Sequence, residues 1–224
     1  MRLPALVAVI VIGLTGCGRL VPDGRSQSQS QKPPPVRSGT VVSPNADTRQ
    51  CLARLGAQGS QFDPVPDAYY GGGCSTLGTI NLTSLQGDES RFSVSNLRKV
   101  SCPLAEAFAR WARYGVDRAA RQEFGSPLAR IETYGSYSCR NIAGSRKRSA
   151  HAQAQAIDIA AFVLADGQRI TLLDGWNGTP RERAFLRVVF KSACKRFGTV
   201  LGPDYNAAHA NHFHVELGGG GFCR

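Results

Sequence analysis

Histidine is scarce in this chain, with four residues in 224, and acidic residues are outnumbered by basic ones, 16 against 27. No two cysteines have the CxxC spacing of a thiol redox site or a thiolate zinc finger. No glycine-rich loop follows a strand and opens a helix in the patterns that cradle dinucleotides or phosphates, so no nucleotide cofactor is expected. The longest apolar run, Leu3 to Leu14, is about a dozen residues, too short to span a bilayer stably. There is no internal repeat.

That apolar run follows Met1 and Arg2, and a basic start ahead of a short apolar core reads as an export signal. It ends in Leu14-Thr15-Gly16-Cys17, which resembles the lipobox of bacterial lipoproteins, with residues 1–16 removed and lipid attached to Cys17. Multiple acyl chains would anchor the protein firmly to a membrane. Position 18 is Gly rather than Asp, which by the lipoprotein rule implies the outer membrane, facing the periplasm. From residue 17 to 46 the chain is rich in Ser, Gln and Pro and reads as a flexible tether. The domain proper is placed at 47–224.

The net charge of +11 points to polyanionic partners. In an exported protein an anionic cell wall or membrane surface is a better partner than nucleic acid, for which basic character is the sole support. With Cys17 assigned to lipid, six of the seven cysteines remain: Cys51, Cys74, Cys102, Cys139, Cys194 and Cys223. In an exported domain they read as three disulfides. The working expectation joins nearest neighbours: 51–74, 102–139 and 194–223.

Residues 51–97 are turn-rich and read as an irregular part with short strands. Pro103 and the stripe Leu104, Phe108, Trp111 predict a helix, and a second helix is expected from Asp117 to Gly125. Leu128–Tyr134 and 156–163 read as strands. In the latter, Ile157, Ile159 and Ala161 face one way and Asp158 the other; a carboxylate on so apolar a strand needs a partner. Asp166-Gly167 is a hairpin turn, with a return strand from Ile170 to Leu173. Thr179-Pro180-Arg181-Glu182 is a capping box opening a helix that Gly198 ends. His212–Leu217 is the final strand. The class is α+β, a small antiparallel sheet with packed helices.

Three of the four histidines fall between 209 and 214, and the fourth, His151, lies seven residues before Asp158. On the final strand His212, His214 and Glu216 share one face, about 7 Å apart for each two-residue step. Phe213, Val215 and Leu217 take the core face. Two imidazoles and a carboxylate with one position left to water are the make-up of a catalytic zinc site. Glu216 either orients a ligand histidine through its second ring nitrogen or points to solvent. Asp174 and Trp176 either wall a cleft or belong to the core.

The pattern Ser149-Ala150-His151, Ala156-Ile157-Asp158-Ile159 and His212-Phe213-His214 resembles the zinc metallopeptidase superfamily of D-Ala-D-Ala carboxypeptidases and murein endopeptidases. Within it, the stretch from about Cys51 to Cys223 resembles the extensin-like C-terminal family of bacterial exported proteins, on Tyr137-Ser138-Cys139-Arg140 and the His209, His212, His214 spacing. The resemblance implies that fold, Zn2+ on His151, Asp158 and His214, and His212 as a non-ligand moving protons. It also implies His209 as an additional site histidine and Arg140 as a cation near the reacting oxygens. Peptidoglycan peptides are the implied substrate. The carboxypeptidase branch carries a catalytic glutamate three residues before the last zinc histidine, and here that position is Asn211. The alternative is a non-catalytic, zinc-containing wall-binding or structural domain.

Overall fold

A computed structural model describes residues 44–218 and 220–224. The expected signal segment, the lipid-bearing Cys17 and the tether up to residue 43 lie outside the described residues. The end of the expected tether is helical: α1 runs Ala46–Ala57, capped by Asn45, whose side-chain oxygen accepts from the Thr48 amide at 2.8 Å. Asp47 in its first turn and Arg54 in its last complement the helix dipole, and Cys51 and Leu55 are its buried residues.

Six strands follow: β1 (Gln61–Pro64), β2 (Ala68–Gly71), β3 (Cys74–Thr76), β4 (Thr79–Gln86), β5 (Arg91–Ser95) and β6 (Val100–Ser101). Helix α2 (Cys102–Trp111) opens at Pro103 as expected and buries Leu104, Phe108 and Trp111. It and the second expected helix are one continuous helical run. A π-helical segment, Ala112–Asp117, leads straight into α3 (Arg118–Phe124), which ends at Gly125 with φ +70°. Asp117, read as a helix start, is instead fully buried; it accepts from the Leu128 amide and pairs with Arg121.

After β7 (Leu128–Gly135) come β8 (Ala156–Leu164), β9 (Arg169–Thr171), α4 (Leu172–Gly175) and α5 (Pro180–Cys194). The return strand is shorter than expected because Thr171 caps α4, accepting from the Asp174 amide. The Thr179 capping box of α5 is present in both directions. The chain closes with β10 (Thr199–Leu201), β11 (Phe213–Glu216) and β12 (Phe222–Cys223). α5 ends at Cys194, before Gly198. Gly198 serves another purpose: a Cβ there would collide with the carbonyl oxygens of Leu217 and Gly218. Only glycine allows this close strand approach.

The class is α+β as expected, but the sheet is neither small nor wholly antiparallel. Ten strands form it in the order β1-β4-β5-β7-β8-β11-β10-β12, with β6 beside β4 and β9 beside β8. Two pairs, β5/β7 and β10/β12, are parallel. Residues 79–95, in the part read as irregular with short strands, supply two of its inner strands, because Ile80, Leu82, Leu85, Phe92 and Val94 are buried in the same core as the helices. The core sits between the helices and one sheet face, where Trp111 and Phe185 pack edge-on against Phe162.

Two of the three expected disulfides are corrected. The pairs are Cys51–Cys102, Cys74–Cys139 and Cys194–Cys223, so only the last matches the nearest-neighbour expectation. The reason is tertiary: α1 lies against α2, bringing Cys51 and Cys102 to a Cα separation of 6.1 Å. The β2/β3 hairpin likewise stands beside the loop after β7, with Cys74 and Cys139 at 5.6 Å.

Candidate metal centre

β8 and β11 are antiparallel neighbours whose register sets His214 directly opposite Asp158. Ile157 and Ile159 face the helices with no exposure, which turns Asp158 to the other face. Phe213 and Val215 do the same for His214 on β11, but Leu217, expected to join them, lies beyond the strand and is exposed. His151 arrives from a 3-10 turn, Ala150–Gln153, capped by Ser149 and terminated by Ala154 at φ 58°. The loop that follows β7, tied down by Cys139, supports that turn through the Ser138 amide, which donates to the His151 carbonyl.

Three donor atoms converge. His151 Nε2 stands 3.2 Å from Asp158 Oδ2 and 3.2 Å from His214 Nδ1, and His214 Nδ1 stands 2.8 Å from Asp158 Oδ1. The group His151, Asp158 and His214 can hold a metal ion. Each imidazole is oriented through its other nitrogen. His151 Nδ1–H donates to the Ser136 carbonyl at 2.5 Å, and His214 Nε2–H donates to Glu216 Oε1 at 2.7 Å. These contacts leave His151 Nε2 and His214 Nδ1 to bind a cation. Of the two roles open to Glu216, the structure shows the orienting contact.

Protons report the same concentration of charge. Burial pushes Asp158 up, but hydrogen bonds from His151 and His214 outweigh it and hold its carboxyl well below the usual range. Burial pulls His214 down, yet its bonds to Asp158 and Glu216 win and raise it to about 9. A metal must therefore displace a proton from His214.

The remaining predicted site residues surround this group. His212 Nε2 lies 3.5 Å from Asp158 Oδ1. Its Nδ1–H donates to Asn211 Oδ1 at 2.9 Å, and Tyr134 packs edge-on against the ring. Burial lowers its pKa, and the Nδ1–H bond to Asn211 leaves Nε2 as the acceptor of the neutral ring. His209 packs against His212 at 5.0 Å between ring centroids, and its Nδ1 bonds Asn206 Oδ1. Burial, reinforced by the neighbouring His212 and His214, lowers His209 to about 4. Arg140 is exposed beside the triad, and its guanidinium has no hydrogen-bond partner among the described residues. The structure brings all six predicted site residues to one place.

Trp176 does not belong with them. It is buried, donates to Asp204 at 2.7 Å and lies under the Arg187 guanidinium. Asp174 caps α4. Sequence reasoning missed Ser136, whose contribution is a backbone carbonyl, and Asn211 as the partner of His212. No residue-type signal marks a carbonyl. The adjacency of Asn211 and His212 was the available hint.

A larger cavity of about 600 Å³ lies beside α1, near Arg54, Asp67 and Leu77, and has no metal-ligand group among the described residues. The cavities at the triad are smaller, about 420 and 200 Å³, and have its residues in their walls. No curated protein matches the chain. The sequence profile described as "Extensin-like protein C-terminus" matches residues 49–224, and the chain belongs to that family.

Proposed function

We propose that this domain is a zinc-dependent peptidase that hydrolyses peptidoglycan stem peptides or their cross-links. The observation that carries the reading is the convergence of His151 Nε2, Asp158 and His214 Nδ1, with both second nitrogens already engaged, beside a cavity on the solvent side. Tetrahedral ligands about 2.0–2.2 Å from zinc stand roughly 3.3–3.6 Å apart; both 3.2 Å separations of His151 Nε2 come close, the 2.8 Å hydrogen bond between His214 and Asp158 would have to open, and an N2O donor set suits zinc. When bound, the ion would polarise a peptide carbonyl and acidify water.

The chain's own residues supply the rest. His212 accepts a proton at Nε2 from the attacking water and returns it to the leaving amine. Asn211 holds the tautomer that leaves Nε2 free, a positioning role at the place where the carboxypeptidase branch has a glutamate. Arg140 is available to balance charge on the tetrahedral oxygens, and His209, whose one N–H goes to Asn206 Oδ1, packs against His212 and offers Nε2 as an acceptor to a substrate donor. The resemblance to the zinc metallopeptidase superfamily supports these roles. The export signal and lipobox support a lipoprotein anchored through Cys17, facing the periplasm from the outer membrane, and the basic surface suits an anionic wall.

Purified peptidoglycan incubated with the chain, with products identified by mass spectrometry, tests the reading. His151→Ala and His214→Ala are expected to lose metal and turnover together. His212→Ala is expected to keep most of its metal and lose turnover; normal turnover would overturn its proton role. Asn211 in place of glutamate favours one second reading, a non-catalytic wall-binding module. That reading takes over if the wild type holds one equivalent of metal and releases nothing.

A further inference from the structure

His209 and His212 form a second pair of imidazoles beside the triad. The chain turns tightly between them: the His209 amide donates to the Asn206 carbonyl at 3.0 Å, and the His212 amide to the His209 carbonyl at 3.3 Å. A 3-10 turn such as Ala207–His209 sets side chains three residues apart on one side. The two rings accordingly stand 5.0 Å apart between centroids, the same separation as His151 and His214. Imidazoles bound to one tetrahedral ion at about 2.0–2.1 Å have their centroids roughly 5 Å apart.

Both rings are oriented for the same task. His209 Nδ1–H donates to Asn206 Oδ1 at 2.7 Å, and His212 Nδ1–H to Asn211 Oδ1 at 2.9 Å. Each bond fixes the tautomer that leaves an electron pair on Nε2, as in metal-binding histidines whose other nitrogen is held by an oxygen. The pair lines the cavity of about 420 Å³ together with Asp158 and Glu216, and Arg140 is the one Lys or Arg in that wall. His212 Nε2 lies 3.5 Å from Asp158 Oδ1, within the roughly 3.3–3.6 Å between two ligands of one tetrahedral zinc.

We propose that His209 and His212 hold a second divalent ion, bound more weakly than the first, with water and Asp158 Oδ1 completing its shell. Two neutral imidazoles suit Zn2+, Ni2+ or Cu2+ and disfavour Mg2+ and Ca2+. Repulsion from the first ion and from Arg140 makes this position fill second. The second ion takes the electron pair on His212 Nε2. On the proposed peptidase reading it therefore removes the proton acceptor, and excess metal stops turnover. The binding itself does not depend on that reading.

All four histidines of the chain belong to these two groups, and the six cysteines among the described residues are in disulfides, so a second equivalent of zinc has no rival cluster of imidazoles or thiols there. Calorimetric titration of the metal-free full chain with zinc is expected to show two equivalents, the second about tenfold or more weaker. His209→Ala is expected to take one equivalent at the first affinity. Asn206→Ala, at an exposed position, keeps both histidines and should weaken only the second equivalent, by roughly 10- to 100-fold. A melting curve of each variant checks that the fold survives. A single equivalent in the wild type would overturn the proposal, as would a second equivalent that persists at wild-type affinity in His209→Ala. With peptidoglycan as substrate, wild-type turnover is expected to rise with the first equivalent and fall over the zinc concentrations that fill the second. Turnover that holds steady while the second position fills would overturn the inhibitory role. Two equivalents bound with no turnover at any zinc concentration would leave the second site standing and remove the peptidase reading.

Discussion

Glu216 offers a direct test of the metal centre, because it touches no ion and acts only through His214. Its carboxylate accepts the His214 Nε2–H at 2.7 Å and is a quarter exposed. A charge-assisted hydrogen bond contributes about 1.5–3 kcal/mol, and partial exposure places this one near the lower end. Since every 1.4 kcal/mol is about tenfold, Glu216→Ala should weaken metal binding by roughly 10- to 30-fold. That lies within the range of about 10- to 100-fold typical of groups that orient metal-bound histidines. Glu216→Gln keeps an acceptor oxygen but loses the charge, and should fall between wild type and Glu216→Ala. Competition for zinc against a chromophoric chelator, at fixed pH on the full chain, measures both variants. A melting curve of each checks that the fold survives. Affinity of Glu216→Ala within about twofold of wild type would refute the claim that the Nε2 contact prepares Nδ1 to bind.

Two further outcomes are expected. In the chelated protein, the raised pKa of His214 stabilises the fold fully below its ordinary value of 6.5, and that contribution is lost as pH rises through about 9. The depressed Asp158 stabilises above its ordinary value of 3.8 and loses that contribution as pH falls. Burial holds His209 and His212 below their ordinary 6.5, so their contribution is lost as pH falls from there, His209's through about 4. Urea midpoints of the chelated chain should therefore peak near pH 6.5 and decline on both sides, and saturating zinc should remove the alkaline decline; a midpoint flat to pH 10 without metal would contradict this. Gly198→Ala should destabilise by about 1–3 kcal/mol, because its Cβ meets backbone carbonyls that no rotamer change can move. An unchanged urea midpoint would show that β10 can shift to make room.

How much was legible in advance varies from residue to residue for physical reasons. Local chemistry is written locally: the Thr179 capping box, the Pro103 helix start and the apolar alternation around Asp158 each depend on neighbours within a turn or two, and each forms as expected. Residues 79–95 were expected to hold only short strands in an irregular part, because glycines and polar residues around them suggested turns, yet they form inner strands of the main sheet. Their strands form because the long-range core takes Leu82, Leu85 and Phe92. The π segment went unseen because it interrupts no pattern of residue types. It is set by packing of the long helix against α5, where a Cβ on Gly115 would collide with Ser192.

Sequence alone pointed to the side chains that the fold gathers in one place, since four histidines cannot be spread thinly when three share six positions and the fourth precedes a lone carboxylate on an apolar strand. It also settled that the cysteines pair with one another. Tertiary structure decided the partners: Cys51 with Cys102 and Cys74 with Cys139, Ser136 behind His151, and two cavities with triad residues in their walls. Each of these joins residues on separate strands, helices or loops. Such pairings come from the order in which strands lie in the sheet, and no local pattern of residue types encodes that order.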